Sequence, residues 1–90
     1  MPLYTYVAHY KGRTSVDQDR RSNYSGFAPM VLGRMADNRL LGSAVKMRQE
    51  MTHKAYRAQW AAVPHRSSVW RMVIEIDDAP LELYAVQTKD

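Results

Sequence analysis

The chain contains no cysteine. A disulfide framework, a thiolate-bound zinc and a cysteine nucleophile are therefore excluded together. Glycine and proline are scarce, at four residues each, and Gly12, Gly26, Gly33 and Gly42 fall into neither a dinucleotide nor a phosphate-loop fingerprint. No apolar run approaches the roughly 20 residues needed to cross a bilayer. The N-terminal MPLYTYVAHYKGR lacks the charged-then-apolar plan of a signal peptide. These absences predict a cytoplasmic protein without membrane contact. His9, His53 and His65 fall in three different segments, and none has a second histidine or a carboxylate four residues away, the spacing of a helical metal site. Neither a metal nor a cofactor is expected.

What remains is an ordinary globular composition. With 46% hydrophobic and 24% charged residues, 90 residues suit one small domain spanning 1–90. A chain of this size hides only about two thirds of the surface its unfolded form exposes, so each buried group counts. The net charge of +4 is unevenly spread: residues 1–60 carry ten Lys/Arg against four Asp/Glu, and residues 61–90 carry three against five. This asymmetry favours an anionic partner for the front of the chain, or self-association of front and tail.

Two hairpins bracket the sequence. In YTYVAHYKGRTSVDQ, strand formers surround Lys11-Gly12, and a two-residue loop there places Tyr10 opposite Arg13 and Val7 opposite Val16. One face then carries Leu3, Thr5, Val7 and His9 with Thr14, Val16 and Gln18. The other carries Tyr4, Tyr6, Ala8 and Tyr10 with Arg13, Ser15, Asp17 and Asp19. The Val7/Val16 face is predicted inward, because the alternative would bury two aspartates and an arginine. In VWRMVIEIDDAPLELYAVQT, an Asp-Asp-Ala-Pro turn pairs Ile76 with Leu81, Ile74 with Leu83 and Met72 with Ala85. Trp70, Met72, Ile74, Ile76, Leu81, Leu83 and Ala85 form one apolar face on that hairpin.

The middle of the chain is helical. Ser22 or Ser25 is a candidate cap for a helix through FAPMVLGRMADN, with Pro29 in its first turn and a break at Ala36-Asp37-Asn38. A second helical stretch runs from Arg39 toward Ala61-Ala62, stopping before Val63-Pro64. At about 100° per residue, Leu40, Ala44, Met47, Met51, Ala55 and Ala58 share its inner side. Met30, Met35, Met47 and Met51 are assigned to core filling, and His65 to Ser68 to a loop. The order strand, strand, helix, strand, strand predicts an α+β domain, a two-hairpin antiparallel sheet packed on a central helical segment.

No catalytic constellation emerges, and the protein is predicted to be a non-catalytic interaction or regulatory module. Two surfaces are candidates. Arg39, Lys46, Lys54 and Arg57 project from one side of the second helix over about 27 Å at 1.5 Å per residue. Such a face suits an acidic protein or, second to that, sequence-independent nucleic-acid binding, unless it is simply a solvated helix side. Tyr4, Tyr6 and Tyr10 with Val73, Tyr84 and Val86 are assigned to the outer sheet face as a self-association surface of a homodimer. The bland reading is that tyrosine merely suits a half-buried strand. A third possibility is a small-ligand protein or enzyme with a site near an inward His9, with Thr14, Thr5 and Gln18 around it.

Overall fold

The computed structural model describes residues 1–37 and 45–88. Two hairpins and a short strand build one antiparallel five-stranded sheet in the order β2-β1-β5-β4-β3, and two helices cover one of its faces. The strands are β1 (Leu3–Tyr10), β2 (Arg13–Arg20), β3 (Ala61–Ala62), β4 (Val69–Ile76) and β5 (Ala79–Thr88); the helices are α1 (Ala28–Asp37) and α2 (Val45–Arg57). The α+β class and its hairpins are as expected. The first and last long strands, β1 and β5, lie side by side at the centre, so neither hairpin can form the sheet alone.

Both tight turns use left-handed backbone. Lys11 and Gly12 have φ of 48° and 76°, and Asp77 and Asp78 have φ of 52° and 60°. Two consecutive positive φ values make the turn whose twist matches that of the strands it joins. The first hairpin has the expected register, with Tyr10 opposite Arg13 and Val7 opposite Val16. The second does not. Its loop is Asp77-Asp78 alone, so Ile76 pairs with Ala79, Ile74 with Leu81, Met72 with Leu83 and Trp70 with Ala85. Aspartate tolerates the left-handed region, which allows the shorter turn. The slip is two residues, so the same side chains still share a face.

The face assignment of the first hairpin is the larger correction. Tyr4, Tyr6, Ala8 and Tyr10 are buried under the helices together with Met72, Ile74, Ile76, Leu81, Leu83 and Ala85, while Val16 is 62% exposed on the other side. Charge does not prevent this arrangement. Asp17 and Asp19 sit on the edge strand β2, and Arg34 of α1 reaches both, with Nε 2.9 Å from Asp17 Oδ2 and Nη1 3.1 Å from Asp19 Oδ2. Arg21 adds a second cation to Asp19 at 2.9 Å. The carboxylates stay at the rim, where pairing and partial solvation replace the hydration that full burial would remove. Two of the buried tyrosine hydroxyls have acceptors too: Tyr6 donates to the Tyr24 carbonyl at 2.9 Å and Tyr10 to the Ile76 carbonyl at 2.8 Å. A buried phenol so satisfied behaves as a large apolar side chain.

The helical segment is described as two helices, α1 over Ala28–Asp37 and α2 over Val45–Arg57, and the expected break at Ala36-Asp37-Asn38 falls at the edge of the described residues. Asn23, rather than Ser22 or Ser25, organises the approach to α1, its Oδ1 accepting from the Gly26 amide at 2.6 Å. Val31, Leu32, Met35, Met51 and Ala55 carry the helices onto the sheet. At Gly33 the Arg48 guanidinium of α2 lies against α1, where a Cβ would meet its Nη2 at 3.0 Å. The second helix is shorter than predicted at its end: Ala61–Ala62 leave it to pair with Arg71 and Trp70 as the edge strand β3. Leu40 and Ala44 lie outside the described residues.

Two measurements follow from this packing. Partial burial resists ionisation of Asp19, but hydrogen bonds and charge from Arg21 and Arg34 outweigh it and hold the carboxyl below its ordinary 3.8. The stability it contributes is complete above pH 3.8 and is lost as pH falls through the lower folded value. Asp19→Asn should cost about 1 kcal/mol at pH 7, and its urea midpoint should converge on that of the wild type in acid. Burial, reinforced by Tyr4 and Asp19, pushes the Tyr6 phenol up to about 12 from 10.0. Its contribution is complete below pH 10 and lost on going toward pH 12, so Tyr6→Phe should cost about 1 kcal/mol at neutral pH and flatten the alkaline fall in stability.

Candidate functional site

The face of the sheet away from the helices is set by strand alternation. Once Tyr4, Tyr6, Ala8 and Tyr10 turn inward, Leu3, Thr5, Val7 and His9 must turn outward. The register lays this surface out in rows: Thr14, His9, Glu82 and Val73; then Val16, Val7, Tyr84 and Arg71; then Gln18, Thr5, Val86 and Val69; then Arg20, Leu3 and Thr88. Its middle is apolar, formed by Val7, Val16, Val69, Val73, Tyr84 and Val86. Among the described residues neither helix lies over it, since both pack into the core on the other side. Val73, at 42% exposed, and Val16 are the most open of these aliphatic side chains.

The six residues predicted to share one self-association face are therefore split between two. Tyr4, Tyr6 and Tyr10 are core, and Tyr6 is fully buried. Val73, Tyr84 and Val86 are on the open face. Leu3, Val7 and Val16, expected on the inner face, stand there in place of the tyrosines. Nothing within the hairpin's own sequence separates its two faces; the deciding contact is Arg34 of α1 beside Asp17 and Asp19.

Tyr84 is the fixed point of this surface. Its hydroxyl donates to Glu82 Oε2 at 3.2 Å, and its ring meets His9 edge-on at 6.2 Å between centroids. The Arg71 guanidinium lies 5.9 Å from the same ring and pairs with Glu82 at 3.4 Å. Around it, His9 Nδ1 hydrogen-bonds Thr14 Oγ1 at 2.9 Å, Gln18 donates to Thr5 Oγ1 at 2.9 Å, and Thr5 also bonds Thr88. The residues offered by the sequence as a ligand site near His9 are thus neighbours in cross-strand pairs on an open surface. They do not enclose a cavity.

At the β2 edge the outward amide of Gln18 is taken by its own neighbour, Asp17 Oδ1, at 2.8 Å. At the opposite edge the two-residue β3 pairs only with Arg71 and Trp70 of β4.

The basic helix side is also changed by its surroundings. Lys54 pairs with Glu50 at 3.0 Å and donates to the Glu75 carbonyl at 2.6 Å. It borders a shallow cleft of about 470 Å³ lined otherwise by Glu50, Glu75, Asp77 and Asp78. An anionic partner would meet those carboxylates beside the lysine. Arg57 is exposed; Arg39 and the Lys46 side chain lie outside what is described. A second cavity, of about 220 Å³, opens between the start of α1 and the end of α2 against Tyr56 and Trp60. The described residues contain no cluster of three metal-ligating side chains, and no described helix is long and apolar enough to cross a membrane. The chain matches no protein-family model, no curated protein and no solved structure.

The two faces should respond differently to substitution. Tyr6→Ala empties a fully buried site and should cost about 3–5 kcal/mol, whereas Val73→Thr and Val16→Thr should stay within about 0.5 kcal/mol of wild type. Urea unfolding of the three variants checks the assignment, and the reverse order of costs would contradict it.

Proposed function

We propose that this protein is a small non-catalytic interaction module whose working surface is the open face of the sheet. The observation that carries the reading is an uncovered apolar field, Val7, Val16, Val69, Val73, Tyr84 and Val86, framed by polar and charged residues. An antiparallel sheet with one wet face ordinarily alternates apolar-in with polar-out. A contiguous apolar patch rimmed by polar groups is the anatomy of a protein interface. Tyr84 strengthens the reading, since an aromatic side chain already held by its neighbours loses little conformational freedom when a partner covers it.

The test separates binding from folding. Val7→Lys combined with Tyr84→Lys places two cations in the middle of the field without touching the core. The double variant should keep the circular dichroism of the wild type and a thermal midpoint within a few degrees of it. It should lose association, whether with itself or with the proteins that the wild type captures from an extract. A folded variant that keeps every association of the wild type would refute the reading.

A further inference from the structure

The β2 edge is a second surface, distinct from the open face, and we infer that it pairs with the β2 edge of a second copy of this chain, antiparallel about a two-fold axis at Val16. Main-chain parity comes first. In a hairpin with a two-residue loop the flanking residues, Tyr10 and Arg13, exchange main-chain bonds, and every second pair beyond them does the same. The Arg21 amide on the Pro2 carbonyl at 3.2 Å, just past the ladder, keeps that phase. Ser15, Asp17 and Asp19 therefore direct their amides and carbonyls at β1, while Thr14, Val16 and Gln18 turn theirs outward. Among the described residues β1 is the one strand that pairs with β2. An eight-residue strand with outward donors and acceptors is a template for another strand.

The sequence of this edge fits its own reverse. Thr14-Ser15-Val16-Asp17-Gln18 reads polar, polar, apolar, polar, polar in either direction. An antiparallel copy centred on Val16 sets Val16 opposite Val16, Thr14 opposite Gln18, and the Ser15 hydroxyl opposite the Asp17 carboxylate. The two Val16 residues then exchange both main-chain bonds. Each Thr14 amide donates to the Gln18 carbonyl of the other copy, and the Gln18 amide stays on Asp17 Oδ1, where it already is. Other centres do worse. An axis at Asp17 sets two Asp17 carboxylates against each other, and one at Gln18 sets Asp17 against Asp19 and calls on the occupied amide. An axis at Ser15 shortens the overlap by two residues and gives up the contact between valines.

The aspartates do not oppose the pairing, because they lie on the helix side of β2 with Arg34 and Arg21 beside them. Val16 gains a place. At 62% exposed it ends the row Arg71, Tyr84, Val7, Val16, which the pairing continues into Val16 and Val7 of the other copy. Two five-stranded sheets become one.

Sedimentation velocity and amide exchange together test the pairing. At one hundred micromolar the wild type should sediment at twice the monomer mass, with the Thr14 and Val16 amides protected from exchange. On dilution both should exchange freely, while the Ser15 and Asp17 amides stay protected by β1. Val16→Pro removes an amide that β1 does not use, so it should keep the circular dichroism of the wild type and weaken association at least tenfold. Thr14→Pro removes the other outward donor and should act alike, which covers the case of a first variant that fails to fold. Val16→Thr keeps both the amide and the branched side chain and should remain dimeric. A wild type that is monomeric at one hundred micromolar overturns the proposal, as does a dimer whose Thr14 and Val16 amides exchange freely. A folded Val16→Pro or Thr14→Pro protein that dimerises like the wild type overturns it too. Should the wild type be monomeric while the Val7→Lys, Tyr84→Lys variant still loses partners from an extract, edge pairing falls and the interaction-module reading stands.

Discussion

Arg34 reaching down from α1 to Asp17 and Asp19 is the contact on which the rest of the arrangement depends. Both hairpin faces are chemically plausible interiors until those two carboxylates have a partner. With Arg34 and Arg21 beside them, the aspartates can lie on the helix side of an edge strand, and the tyrosine row of β1 follows them. An unpaired carboxylate in that place would be strongly disfavoured. The cation is therefore what permits the tyrosines to be buried, and burial of the tyrosines is what leaves valines facing outward.

The buried tyrosines in turn shape the core. Tyr6 and Tyr10 are long enough to reach backbone carbonyls beyond the sheet, at Tyr24 and Ile76. Each tethers β1 to a segment distant in sequence: the approach to α1, and the end of β4. Around Tyr4 a ring cluster continues through Tyr24 and Trp70, which stack at 4.1 Å, to Trp60 edge-on against Tyr24 at 5.2 Å. In a domain with limited apolar area, large rings with satisfied hydroxyls fill volume that aliphatic residues would need several side chains to fill.

The functional proposals inherit this geometry. A face that combines Val7 and Val16 with Val69, Val73, Tyr84 and Val86 exists only because of the inward tyrosines, and among the described residues it is the side that the helices leave uncovered. The basic helix side illustrates the opposite case. A wheel shows which cations share a side, yet Lys54 is spent on Glu50 and on a carbonyl of the neighbouring strand, partners that no wheel contains.

Local chemistry was legible from the sequence alone. Strand formers around Lys11-Gly12 and around Asp77-Asp78 and the apolar alternation of Met72, Ile74, Ile76, Leu81 and Leu83 rest on turn propensity and side-chain period. Both act within about ten residues. The choice between faces of the first hairpin was not legible, because its energy turns on an ion pair between residues 17 and 34, and the register alone is neutral between the two. The same holds for β3: Ala61-Ala62 suits a helix end by propensity, and becomes a strand only because Trp70 and Arg71 offer it a ladder. Periodicity told which side chains travel together, while tertiary partners decided which of those groups met the core, because burial of a charge is favourable or prohibitive according to what stands across from it.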